Sequence, residues 1–168
     1  MAFQKANGLK PDGIVGEKTW AKLPVSNSGL LLSKRFINKI IVHCTASREG
    51  KNLTVEDIRR DHKARGWADI GYHYVVYLDG SIHNGRDGNL IGSHCYGYNA
   101  NSIGVVYVGG LNKQGKATDT RTDAQKKALV KLLKELRRLY PKAKIYGHRD
   151  FAAKDCPCFD AKEEYKNI

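Results

Sequence analysis

Two histidines stand at the ends of apolar runs: His43 closes INKIIVH, residues 37–43, and His148 follows KIYG, residues 144–147. A histidine at a strand end is available to a site on a sheet edge, whereas one in mid-strand is packed. Cys156 lies eight residues after His148, across the loop HRDFAAKDC, which has room to fold back. Two imidazoles and a thiolate form a borderline-soft donor set suited to zinc. Three protein ligands would leave one tetrahedral position for water, as catalytic zinc sites do. Cys156 and Cys158 flank Pro157, so either is able to approach a metal and the pattern does not choose between them. Cys44 follows His43 in an extended run, so its side chain takes the opposite face and should not share the metal. The same alternation separates Tyr72 from His73. His62 reads as a surface residue of a charged helix, and His83 as an exposed residue beyond a turn. His94, in GSHCYGYN, reads as a loop residue able to line a site.

The elements that must carry these residues interleave. INKIIVH is rich in β-branched residues and predicts a buried strand. Thr54 opens LTVEDIRRDHKARGW with Asp57 three residues on, a capping-box variant that predicts a helix start. YHYVVYLDGSIHN predicts a β-hairpin turning at Asp79-Gly80. SIGVVYVGG, residues 102–110, predicts another strand ended by glycines. Thr122 and Gln125 form a second capping box, opening a long amphipathic helix. Its core face carries Leu129, Leu132, Leu133, Leu136 and Leu139, and Pro141 stops it. The fold class that follows is α/β, a central mixed sheet flanked by helices. Residues 1–24 read as a short N-terminal arm with a Pro-Asp-Gly turn, too small for a core of its own, and 25–36 as a linker. Residues 37–168 form the main domain.

The chain has 168 residues, of which 41% are apolar and 27% charged, enough to bury a core without a disulfide scaffold. Its four cysteines are too few to define one. Lys and Arg number 29 against 17 Asp and Glu, a net charge of +12 that suits a polyanionic neighbour. Eight of those cations fall between residues 123 and 144 with only two acids. Aromatics are not interleaved with them and no nucleic-acid motif accompanies them, so they read as a solvated helix face with no specific nucleic-acid partner. No stretch approaches the roughly 18 apolar residues of a membrane span. The start, MAFQKANGLK, has no apolar core of a secretory signal, so the sequence does not fix a cellular location.

Taken together, IIVHCTA (40–46), RGWADIGYHYVV (65–76), GRDGNLIGSHCYGYNANSIGVVYVGG (85–110) and GHRDFAAKDCPCFD (147–160) resemble the zinc N-acetylmuramoyl-L-alanine amidases, the group that includes phage lysozyme-amidases and peptidoglycan recognition proteins. The resemblance spans about residues 37–160. The arm, FQKANGLKPDGIVGEKTW, is similar to the end of a helical peptidoglycan-binding repeat.

The resemblance implies a single amidase domain that hydrolyses the bond between the muramic acid lactyl group and L-alanine by zinc-activated water. It implies His43, His148 and Cys156 as zinc ligands, which selects Cys156 over Cys158 by analogy. Tyr72, in GYHY, matches the tyrosine implicated in amide cleavage, and Lys154 matches the lysine of the phage-type branch. Lys154 then supplies positive charge to the tetrahedral oxyanion, and Tyr72 orients water or donates a hydrogen bond. Trp67, His94 and Asn99 are the candidate substrate contacts, with Asn101 and Ser102 in the same polar loop. Bacterial peptidoglycan is the expected partner and a monomer the expected state. The alternative is a non-catalytic recognition protein on the same fold. In recognition proteins that have lost activity the position of Cys156 is typically replaced, so its presence favours the enzyme.

Overall fold

Residues 32–168, together with Leu30 and the isolated positions Gln4, Gly8 and Lys10, are described by a computed structural model. The arm expected over 1–24 and half of the linker expected over 25–36 lie outside the described residues. The central sheet is built on β1 (Lys39–Cys44), whose run KIIVHC is buried at every position after the first. A strand covered on both faces reads as a continuous apolar run, which is the mark of parallel pairing. β1 pairs in parallel with β5 (Ser102–Tyr107) on one side and with β7 (Lys144–Gly147) on the other. β5 pairs in parallel with β3 (Tyr74–Val76), and β3 pairs antiparallel with β4 (Ile82–Asn84). The order is therefore β4-β3-β5-β1-β7, a mixed sheet as expected. The hairpin turns at Gly80, whose φ of +82° needs glycine. Two short strands, β2 (Ser47–Arg48) and β6 (Gly110–Leu111), pair beside it.

The helices cover the sheet unequally. α2 (Asp123–Leu139) begins at the predicted Thr122–Gln125 capping box. It buries Leu129, Leu132, Leu133 and Leu136 against Ile40, Val42, Cys44, Val105 and Tyr107. The Gln125 amide, fully buried, also donates to the carbonyls of Val76 and Val108, fixing the helix start to the strand ends. α1 (Val55–Ala64) has the predicted Thr54–Asp57 capping box and packs Val55 and Ile58 against Val75 and Val106. Alternation along β1 puts Ile41 and His43 on the α1 side and their neighbours on the α2 side. Register pairs His43 with Val106, so α1 roofs the β3–β5 half of this face. A four-residue helix, α3 (Ala161–Glu164), closes the chain. It is held by Arg121, which pairs with Asp119 and Glu164 and stacks on Phe159. Among the described residues no helix is long and apolar enough to cross a membrane.

Candidate active site

Val42 of β1 is level with Gly147 of β7, so the next residue on each strand, His43 and His148, emerge side by side at the carboxyl ends of two parallel strands. Their ring centroids lie 4.7 Å apart. The chain then turns back through a 3₁₀ turn (His148–Asp150) closed by the Asp150 carboxylate on the Gly147 N–H and by the Arg149 N–H on the Cys156 carbonyl. Phe151 anchors this return between Tyr98 and Tyr146. Gly147 must be glycine, because a Cβ there would stand 2.7 Å from the Pro157 ring. The result brings Cys156 Sγ to 3.8 Å from His43 Nδ1. One ligand atom from each of His43, His148 and Cys156 lies within 4.8 Å of the others.

The electrostatics favour the deprotonated donors that a soft divalent cation requires. Burial, then His148 and Lys154, hold His43 well below the usual imidazole range. Burial and Lys154 lower His148 as well. The Cys156 thiol is lowered chiefly by a hydrogen bond from the Cys44 side chain, and the Cys44 N–H donates to the same sulfur at 3.3 Å. Two neutral imidazoles and a thiol of lowered pKa form a donor set that fits zinc. Cys158 is excluded from this group: its thiol turns away to the Gly110 carbonyl and lies 3.7 Å from Cys44 Sγ.

Tyr72 reaches the group from the loop ahead of β3, its ring centroid 5.2 Å from that of His43. The loop is tied down from below. Arg59 of α1 pairs with the Asp69 carboxylate at 2.5 Å, and Arg86 donates to the carbonyls of Asp69 and Ile70. Burial raises the Tyr72 phenol above its ordinary value, so it stays protonated at neutral pH. Trp67, His94, Asn99, His148 and Lys154 line a cleft of about 560 Å³ beside the three donors, with Tyr96 fully exposed at its rim.

Several histidines sit differently from their reading in the sequence. His62 is buried, not on the surface: it accepts from the Gly71 N–H and packs on Trp67 and Tyr72. It lies on the inward face of α1 despite its charged neighbours. His83 is half-buried, stacked on Tyr77 at 3.9 Å across the hairpin. His94 lines the cleft, but the residue is only 7% exposed and its ring lies within hydrogen-bond distance of His43 and Ser102. The Asn99 carboxamide oxygen accepts from the N–H groups of His94 and Cys95, five and four residues before it, and so ties this loop together. Arg59, Asp69 and Arg86 carried no signal in the sequence, because isolated charges in a polar run read as solvated.

Known proteins resemble this chain in sequence and in fold. Residues 33–159 match the family described as N-acetylmuramoyl-L-alanine amidase, and residues 1–23 match a peptidoglycan binding domain family. The chain is 43% identical to the endolysin of Enterobacteria phage K11 over 129 residues, 77% of this chain and 85% of that one. It is 45% identical to the endolysin of Escherichia phage T7 over 123 residues, 73% and 82% of the two chains. Among solved structures it resembles the N-acetylmuramoyl-L-alanine amidase endolysin LysCS of Clostridium intestinale, with a TM-score of 0.64 and 32% identity over 83% of this chain and 82% of that one. It also resembles Drosophila PGRP-LB, with a TM-score of 0.67 and 26% identity over 90% and 91% of the two chains.

Proposed function

The chain belongs to the N-acetylmuramoyl-L-alanine amidase family and is an amidase of peptidoglycan, and from that premise we propose that it works through a zinc ion held by His43, His148 and Cys156. The observation that carries this is the convergence of two imidazoles and one thiol within 4.8 Å, with His148 on the wall of an open cleft. When bound there, zinc supplies a Lewis acid and lowers the pKa of water towards about 7. The bond cut joins the muramic acid lactyl group to L-alanine of the stem peptide. The Lys154 ammonium, on the cleft rim, stabilises the negative charge that develops on the amide oxygen as water adds. The half-buried Tyr72 phenol, kept protonated, donates a hydrogen bond to that oxygen and is not the base. Trp67, 38% exposed beside the cleft, offers a flat apolar face to a sugar ring, and His94 and Asn99 complete the wall.

Residues 1–24 are read as the end of a peptidoglycan-binding repeat joined by 25–36 to the amidase domain at 37–168; the family match over 1–23 supports this. The protein is read as acting as a monomer. The test is metal content and release of new L-alanine amino groups from purified peptidoglycan, measured on one sample before and after chelation. About one zinc per chain, release abolished by the chelator and restored by zinc, is the expected result. Cys156→Ser should lose metal and activity together. Full activity in that variant would remove Cys156 from the mechanism, and zinc without release would favour a recognition protein.

A further inference from the structure

The nitrogen of His43 that faces the Cys156 thiol is Nδ1, and its other nitrogen faces His94. There, His43 Nε2 lies 3.0 Å from His94 Nδ1, and His94 Nε2 lies 3.2 Å from Ser102 Oγ. Ser102 Oγ in turn donates to the Tyr98 carbonyl at 2.7 Å. This row of contacts has a direction. A carbonyl only accepts, so the single hydroxyl hydrogen of Ser102 is spent on Tyr98. Ser102 Oγ must then accept, which places the His94 proton on Nε2. His94 Nδ1 is left as an acceptor, so His43 must carry its proton on Nε2 and keep the Nδ1 lone pair free.

We propose that His94 is a positioning residue which, directed by Ser102, fixes the tautomer and ring orientation of His43 for metal binding. This rests on the reading of His43 as a metal ligand. A ligating histidine generally gives its second N–H to a carboxylate or carbonyl; here a neutral histidine takes that place. The fold has made room for it. A Cβ at Gly104 would come within 2.6 Å of the His94 ring, and one at Gly92 would come equally close. Ser102 is fully buried, and Asn99 clamps the His94 backbone N–H. A reversed row would put a proton on His43 Nδ1 and block the metal.

The first measurement is a long-range ¹H–¹⁵N correlation spectrum of the metal-free wild-type protein, which reports the tautomer of each histidine ring. His43 is expected as Nε2–H and His94 as Nε2–H; Nδ1–H on His43 would overturn the proposal. The second is zinc affinity, by competition with a chromophoric chelator. His94→Leu should bind zinc about 10–100-fold more weakly. His94→Gln, whose carboxamide oxygen accepts and whose amide donates, should recover most of that loss. A folded His94→Leu with affinity within about twofold of wild type would overturn the proposal. Should His94→Leu fail to fold, Ser102→Ala decides: a mixed His43 tautomer supports the proposal, and an unmixed one overturns it. Absence of zinc binding by the wild type would overturn the metal-site reading, while the spectrum would still decide the tautomer.

Discussion

Tyr72, packed beside His43, and Lys154, on the cleft wall, are asked for related work by different means. The phenol is packed on His43 and protonated; the lysine stands exposed at the rim, where charge costs little to keep. Neither belongs to the group of metal donors, so removing either should spare the metal. Tyr72→Phe and Lys154→Ala are each expected to retain zinc and to lower kcat by about 10²–10³, the effect of losing one oxyanion donor, with a smaller change in KM. Steady-state kinetics on a soluble muropeptide, with metal content measured alongside, checks both. An unchanged kcat in Lys154→Ala would make that residue a bystander. At this scale the sequence was legible where strand ends deliver a side chain, as for His43 and His148. It was less legible for His62 and His94, because their neighbours are charged or in loops and their burial depends on chain segments distant in sequence. Tyr72 and Lys154 were legible only through resemblance, since a strand aromatic and a loop lysine are commonplace by themselves.

The elements were readable where the code is local. Both capping boxes and the Asp79-Gly80 turn stand where their spacing puts them, because each is satisfied within four residues. The order of the strands was not readable, since pairing β1 between β5 and β7 depends on contacts across some sixty to a hundred residues. Nor was the pair of Arg59 with Asp69, through which α1 holds the Tyr72 loop. Both side chains are 8% exposed, so removing one partner leaves a buried charge. Asp69→Ala is expected to destabilise by about 3 kcal/mol, the low end for a broken buried pair because Arg59 also touches Glu56. Urea unfolding would measure it, and activity should fall further than zinc content as the loop loosens. The capping carboxylate gives a pH signature. Hydrogen bonds from Thr54, first from its hydroxyl, and from Arg60 hold Asp57 down to about 2, below its ordinary 3.8. A depressed carboxylate stabilises the fold above the unfolded pKa and loses that contribution as pH falls through the folded one. The stability gap between wild type and Asp57→Asn, followed by denaturation, should therefore be full at neutral pH and close as pH drops from about 3.8 to about 2.

Across the whole molecule, charge and chemistry occupy opposite sides of the sheet. His43 lies on the α1 face, while α2 covers the other and turns Lys126, Lys127, Lys131, Lys134 and Arg138 outward. Lys127, Lys131 and Lys134 follow each other at spacings of four and three, so they form one stripe. A stripe on the far face cannot touch the scissile bond, yet it contributes to the field that draws the protein towards an anionic wall. Replacing all three with Gln lowers the net charge from +12 to +9, since 12 − 3 = 9. The turnover of a small soluble muropeptide should not change. On insoluble wall the same variant should release product more slowly at low ionic strength. The deficit should then shrink as added salt shortens the screening length from about 30 Å at 0.01 M to about 8 Å at 0.15 M. Comparing the two substrates over that salt range separates long-range attraction from catalysis. A deficit on the soluble substrate, or one on the wall that salt leaves untouched, would mean that α2 acts on the site through the sheet itself and not through its charge.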